Sequence, residues 1–107
     1  MVQHVNGNEL EELIEKSDKT VYCDFWASWC GPCRMLAPVF ESLSEKYADR
    51  AVFVKVDVDG DDNQAVAMKY RVSSIPNVIA FKNGQVAGNS VGFVPEAMLT
   101  AFVEKHL

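Results

Sequence analysis

Two apolar, β-branched runs, "TVYCDFW" at 20–26 and "AVFVKVDV" at 51–58, dominate the first half of the chain. Between them Leu36, Val39, Phe40, Leu43 and Tyr47 recur at helical spacing. Runs this uniformly apolar read as strands buried on both faces. Strand, helix and strand within about forty residues make a right-handed parallel crossover, since that is the only hand that packs a helix back onto a twisted sheet. The chain is therefore α/β, with helices on its sheet.

The remaining elements fit around that unit. Near the start Asn8 is placed to cap a helix with Glu11 at its third position, and Leu10, Leu13 and Ile14 form one apolar stripe. Pro38 lies inside the helix after the cysteines, where it removes a backbone hydrogen bond and should kink it. Residues 62–70 read as a short helix that buries Ala65, Val66 and Met68. "NVIAFKNGQVAG" holds two short strands joined by Asn83-Gly84, the strongest short hairpin signal, so the second half is antiparallel. Pro95 fits the first turn of a closing helix, with Met98, Leu99, Phe102 and Val103 inward and Lys105 near its negative end. With no repeat and no linker, residues 1–107 are expected to form one domain around a mixed sheet.

Each buried strand carries a charge in its middle that does not belong there. Asp24 sits in the middle of the first, on the opposite side from Cys23 and Phe25 by strand alternation. A carboxylate loses its water shell inside a core, which pushes its pKa toward neutrality. Lys55 is the lone cation of "VFVKV" on the neighbouring strand. Buried charges are usually paired, so Asp24 and Lys55 are natural partners; alternatively Lys55 reaches along the strand to water.

Six residues beyond Asp24, the strand hands over to a helix at "CGPC". A thiol at a helix N-terminus faces unpaired backbone N–H groups and the positive end of the dipole, both of which favour the nucleophilic thiolate. Cys33 lies one turn down from Cys30, close enough to close a small ring. Pro32 pre-sets helical φ, and Gly31 lets a substrate backbone approach closely. A zinc site would need further ligands, and only Cys23, His4 and His106 are available. A structural staple is no better, because so short a loop constrains little of the unfolded chain. The geometry suits a dithiol that opens and closes. Trp26 and Trp29 flank the turn as packing residues, and Trp29 is also placed to form an apolar rim for substrate.

Charge and hydropathy exclude other classes. A net charge of −5 argues against a nucleic-acid footprint, and the scattered Lys and Arg residues leave no polybasic face for a membrane. No run approaches the ~20 apolar residues of a membrane span. "MVQHVNGNEL" lacks the basic and apolar segments of a signal peptide, and three cysteines are an odd count for a secreted disulfide framework. A reducing cytoplasm is the expected location.

The stretch "DFWASWCGPCRMLAP" resembles the active-site signature of the thioredoxin family, and "FVKVDVD", "SSIPNVIAFKNG" and "SVGF" follow in that family's order and spacing. The resemblance covers essentially the whole chain. It implies a thioredoxin fold and, from Gly-Pro between the cysteines, the reductase branch. It implies a proton-transfer role for Asp24 and an influence of Lys55 on the cysteines. For Ile75-Pro76 the sequence alone predicts a trans bond; the resemblance implies cis, with the proline beside the cysteines and the Ile75 backbone free to pair with an extended substrate. Gly92 would allow close approach on the far rim, or simply turn the chain at a strand end. Three positions depart from the family pattern. Asn77 replaces the usual Thr at the cleft edge, Cys23 replaces an aliphatic residue and reads as a small buried hydrophobe, and Arg34 stands where Lys is common.

The expected function is therefore protein-disulfide reduction. Cys30 attacks a substrate disulfide, Cys33 resolves the mixed disulfide with help from Asp24, and Trp29, Gly31, Pro32, Ile75, Pro76 and Gly92 bind substrate. No cofactor or metal is expected in the chain itself. The resemblance implies electrons from a flavin- and NADPH-dependent thioredoxin reductase, disulfide-containing protein substrates and a monomer. Two other readings stay open: a disulfide oxidant or isomerase, and a binding subunit whose thiols are incidental.

Overall fold

A computed structural model describes all of residues 1–107. The elements run β1 (Gln3–His4), α1 (Gly7–Lys16), β2 (Thr20–Trp26), α2 (Gly31–Lys46), β3 (Ala51–Asp57), α3 (Asn63–Lys69), β4 (Asn77–Lys82), β5 (Gln85–Val91) and α4 (Glu96–His106). The strands form one sheet in the order β1-β3-β2-β4-β5. β1 and β2 pair with β3 in parallel, and β4 runs antiparallel to both β2 and β5. The parallel crossover and the hairpin are as expected. β1, only two residues long, carries too little pattern to be seen in the sequence.

Strand alternation divides the interior in two. On one face Tyr22, Phe53, Val78 and Ala80 pack with Leu36, Phe40 and Leu43 of α2 and Leu99 and Val103 of α4. On the other, Val21, Cys23, Phe25, Val54, Val56, Ile79 and Phe81 pack with Leu10 and Ile14 of α1 and Val66 and Ala67 of α3. A third cluster, Ala27, Cys30 and Cys33, stands apart at the C-terminal end of β2. Tyr22 ties the first face together by donating its hydroxyl to the carbonyl of Val103 at 2.5 Å.

Several helical details differ from expectation. α1 is capped two residues earlier: Asn6 accepts from the Glu9 amide at 2.8 Å, and Glu9 accepts from the Asn6 amide at 2.9 Å. This reciprocal box satisfies two of the free N–H groups at the helix start. In α3 the buried side chains are Asn63, Val66 and Ala67; Ala65 and Met68 face water. Asn63 sets that phase by bridging the Gly7 amide and the Asp57 carbonyl, both at 2.9 Å. Pro95 is the N-cap of α4; Leu99, Phe102 and Val103 turn inward as expected, and Met98 is exposed. Pro38 lies inside α2, as expected, and faces solvent. The Asn83-Gly84 turn has positive φ at both residues (56° and 78°), as a two-residue hairpin matched to strand twist requires.

Candidate active site

β2 ends at Trp26, and the chain turns through Ala27–Trp29 into α2 with Cys30 as the N-cap residue. Cys30 Sγ accepts the backbone N–H of Cys33 at 3.2 Å, so the sulfur does the work a Ser or Asp oxygen does at other helix starts. Cys30 and Cys33 are joined in a disulfide, with Cα atoms 5.2 Å apart. Both are covered: Cys30 is 5% exposed and Cys33 2%. The helix tip thus holds the pair at the surface without opening it widely.

The rim comes from three other segments. The Ile75-Pro76 bond is cis, and the Ile75 carbonyl oxygen lies 3.8 Å from Cys30 Sγ. The Pro76 carbonyl accepts the Gly92 amide at 2.7 Å, and Gly92 has φ +84°, a conformation glycine adopts without strain. A side chain at Gly31 would meet no atom within 4 Å, so the fold does not demand a glycine there and the space above it is open. Trp29 is 67% exposed, and its indole N–H donates to Asp59 at 2.5 Å. Asp59 was not among the residues singled out from the sequence. Its signal was topological: β2 and β3 are parallel neighbours, so the loops after both strands lie at the same end of the sheet.

On β2, Asp24 is wholly buried and neither carboxyl oxygen has a hydrogen-bond partner. Burial pushes its pKa up to about 6, partly offset by the charge of Lys55. Lys55 is its register partner on β3, but the expected ion pair is not formed. The ammonium instead lies 4.5 Å from the centre of the Trp26 ring, a cation–π contact. Trp26 is half-buried and packs against the Ala27, Cys30 and Cys33 cluster.

The three departures noted in the sequence fall at different places in the fold. Cys23 is fully buried among apolar side chains on the far face, and that burial, with the nearby Asp24 charge, pushes its thiol pKa up. Asn77 is buried opposite Phe25, so its side chain belongs to the α1/α3 face and not to the cleft edge. Arg34 donates to the Ser28 carbonyl at 2.9 Å and braces the turn from outside.

Residues 1–105 match the family model described as Thioredoxin. The chain is 50% identical over 103 residues to a thioredoxin of Bacillus subtilis, covering 96% of this chain and 97% of that protein. It is 42% identical over 106 residues to a thioredoxin of Haemophilus influenzae, covering 99% and 97%. It is also 50% identical over 103 residues to a thioredoxin of Staphylococcus aureus, covering 96% and 95%.

Proposed function

The chain belongs to the thioredoxin family, a family of protein-disulfide reductases that work by dithiol–disulfide exchange, and from that premise we propose how its residues divide the reaction. The observation that carries the assignment is Cys30 Sγ capping α2 one turn from Cys33. In the reduced protein the Cys30 thiolate attacks one sulfur of a substrate disulfide. A Cys30–substrate bond forms, the substrate bond breaks, and the first substrate thiolate leaves and takes a proton. Asp24 then accepts the Cys33 proton, with a pKa raised enough to hold it near neutrality. The Cys33 thiolate attacks Cys30 Sγ, the second substrate thiolate leaves and is protonated, and the chain is left oxidised. Two electrons and two protons have passed to the substrate.

Trp29, Gly31, Pro32, Ile75, Pro76 and Gly92 receive the substrate. The backbone of Ile75 and the open space over Gly31 suit an extended peptide better than a small molecule, and no surface hollow is lined by the cysteines. The oxidised chain is returned to the dithiol by a flavin- and NADPH-dependent thioredoxin reductase. Location in the cytoplasm agrees with that supply of electrons, and no helix is long and apolar enough to cross a membrane. The chemistry resides in the sulfurs, and thioredoxins bind no cofactor of their own.

The deciding experiment couples NADPH oxidation through thioredoxin reductase to reduction of a small disulfide-containing protein. Turnover that needs this chain and disappears with Cys30→Ser is expected. Slow reduction by several reductases, with rapid oxidation of substrate dithiols, would instead assign an oxidant. Full biological activity of a Cys30→Ser, Cys33→Ser protein would assign a binding role.

A further inference from the structure

A row of side chains crosses the sheet at Asp24 and ends on a residue that the exchange described above does not use. His4, exposed on the edge strand β1, is in register with Lys55, and Lys55 is in register with Asp24. Register partners project from the same face, so imidazole, ammonium and carboxyl stand side by side on the α2/α4 side. Trp26, two residues beyond Asp24, shares that face. Lys55 Nζ lies 4.5 Å from its ring centre on one side. The His4 ring meets it edge-on at 5.8 Å, with 78° between planes. The same indole packs against Cys30 and Cys33.

Lys55 therefore has two anchors within reach, the indole face and the Asp24 carboxyl. A buried carboxylate is the stronger electrostatic attraction, yet the ammonium lies on the indole. Only an indole held in one orientation keeps its face turned to Lys55. The cysteine cluster fixes one side of the ring, and His4, packed against it edge-on, is the contact from the open edge of the sheet. We propose that His4 is a positioning residue: it props Trp26 against Lys55 and so keeps the ammonium off Asp24, leaving that carboxyl free to take the Cys33 proton. This rests on the proton-accepting reading of Asp24.

The other groups facing these side chains do not supply the same control. Beside Asp24 in the sheet stand Lys55 from β3 and Val78 from β4, and α4 contributes apolar Leu99, Phe102 and Val103 to this face. On Trp26 the neighbours are His4, Lys55 and its register partner Asp57, whose Oδ1 accepts the Asp59 amide at 2.9 Å. Cys23, beside Asp24 in sequence, lies on the opposite face.

The test is the titration of the Asp24 carboxyl carbon followed by NMR. In His4→Ala the indole is released, Lys55 closes on Asp24, and the midpoint falls by about one pH unit or more, as an opposite charge at contact distance requires. His4→Phe keeps the aromatic edge and should leave the midpoint in place. In a Lys55→Met background, His4→Ala should shift nothing further. An unmoved midpoint in folded His4→Ala, or the same shift without Lys55, overturns the proposal; His4→Ser repeats the test should the alanine variant not fold. Failure of the underlying reading looks different: Asp24→Asn would then leave the pH dependence of Cys33 alkylation unchanged.

Discussion

Cys23 and Asp24 are consecutive, both lie at 0% exposure, and they face opposite sides of the same strand. On the Cys23 side every rung across β2 and β3 is apolar, Cys23 beside Val54 and Phe25 beside Val56. On the Asp24 side the apolar rung of Tyr22 and Phe53 gives way to Asp24 and Lys55, and only then comes the cysteine cluster. Equal burial has produced one inert group and one poised group. What differs is the neighbourhood: the Cys23 thiol is surrounded by apolar side chains, whereas the Asp24 carboxyl shares its face with Lys55 and with Trp26, which packs against the cysteine cluster. Depth alone does not mark a functional residue; depth next to a partner in the chemistry does.

That contrast can be broken most sharply with the thiols. Cys30→Ser should remove disulfide reduction entirely in the coupled NADPH assay, while Cys23→Ser should leave its rate unchanged; an equal loss in both would make the two faces functionally alike. Next in size is Asp24→Asn, expected to slow resolution of the mixed disulfide near pH 7 by roughly 10- to 100-fold, at the lower end of general-base effects. Stopped-flow detection of the mixed disulfide measures it.

The same substitution should raise stability, with a definite pH dependence. The Asp24 pKa is raised from 3.8 to about 6 in the folded state, so the folded protein binds the proton more tightly than the unfolded chain. Its contribution is fully present below about pH 4 and is lost as pH rises through about 6. Two pKa units correspond to about 3 kcal/mol. Relative to Asp24→Asn, the natural chain should therefore lose about that much between pH 4 and 7 in urea titrations, and parallel curves would refute it. The smallest effect is on the quiet face. Cys23→Ala should cost about 1 kcal/mol by cavity formation, at every pH, with activity intact.

How much of this could be read from the sequence depended on whether a signal was local. The boundaries of β2, the hairpin at Asn83-Gly84 and the placement of Cys30 at a helix start all follow from neighbours in the chain. Where two side chains compete for one role, pattern failed. Asn6 and Asn8 are both competent caps, and only the phase that buries Leu10 and Ile14 selects Asn6. Met98 and Leu99 are equally apolar, and the packing of α4 chose one. The pairing of Asp24 with Lys55 was legible as a neighbour relation but not as a bond, because the competitor, Trp26, became visible only in three dimensions. The contacts of Asp59 with Trp29 and of His4 with Trp26 were illegible for the same reason: each residue reaches its tryptophan from a separate strand or loop. The cis bond before Pro76 could be expected only from the family.

The sulfur cap of α2 has a consequence outside catalysis. The Cys33 amide donates to a group whose charge depends on how many electrons the protein carries. A disulfide sulfur is a weak acceptor, whereas a thiolate in the same place receives a charge-assisted bond. That one backbone N–H is therefore a built-in gauge of redox state. Its hydrogen-exchange rate should fall on reduction, while amides in the middle of β2 and β3 keep theirs.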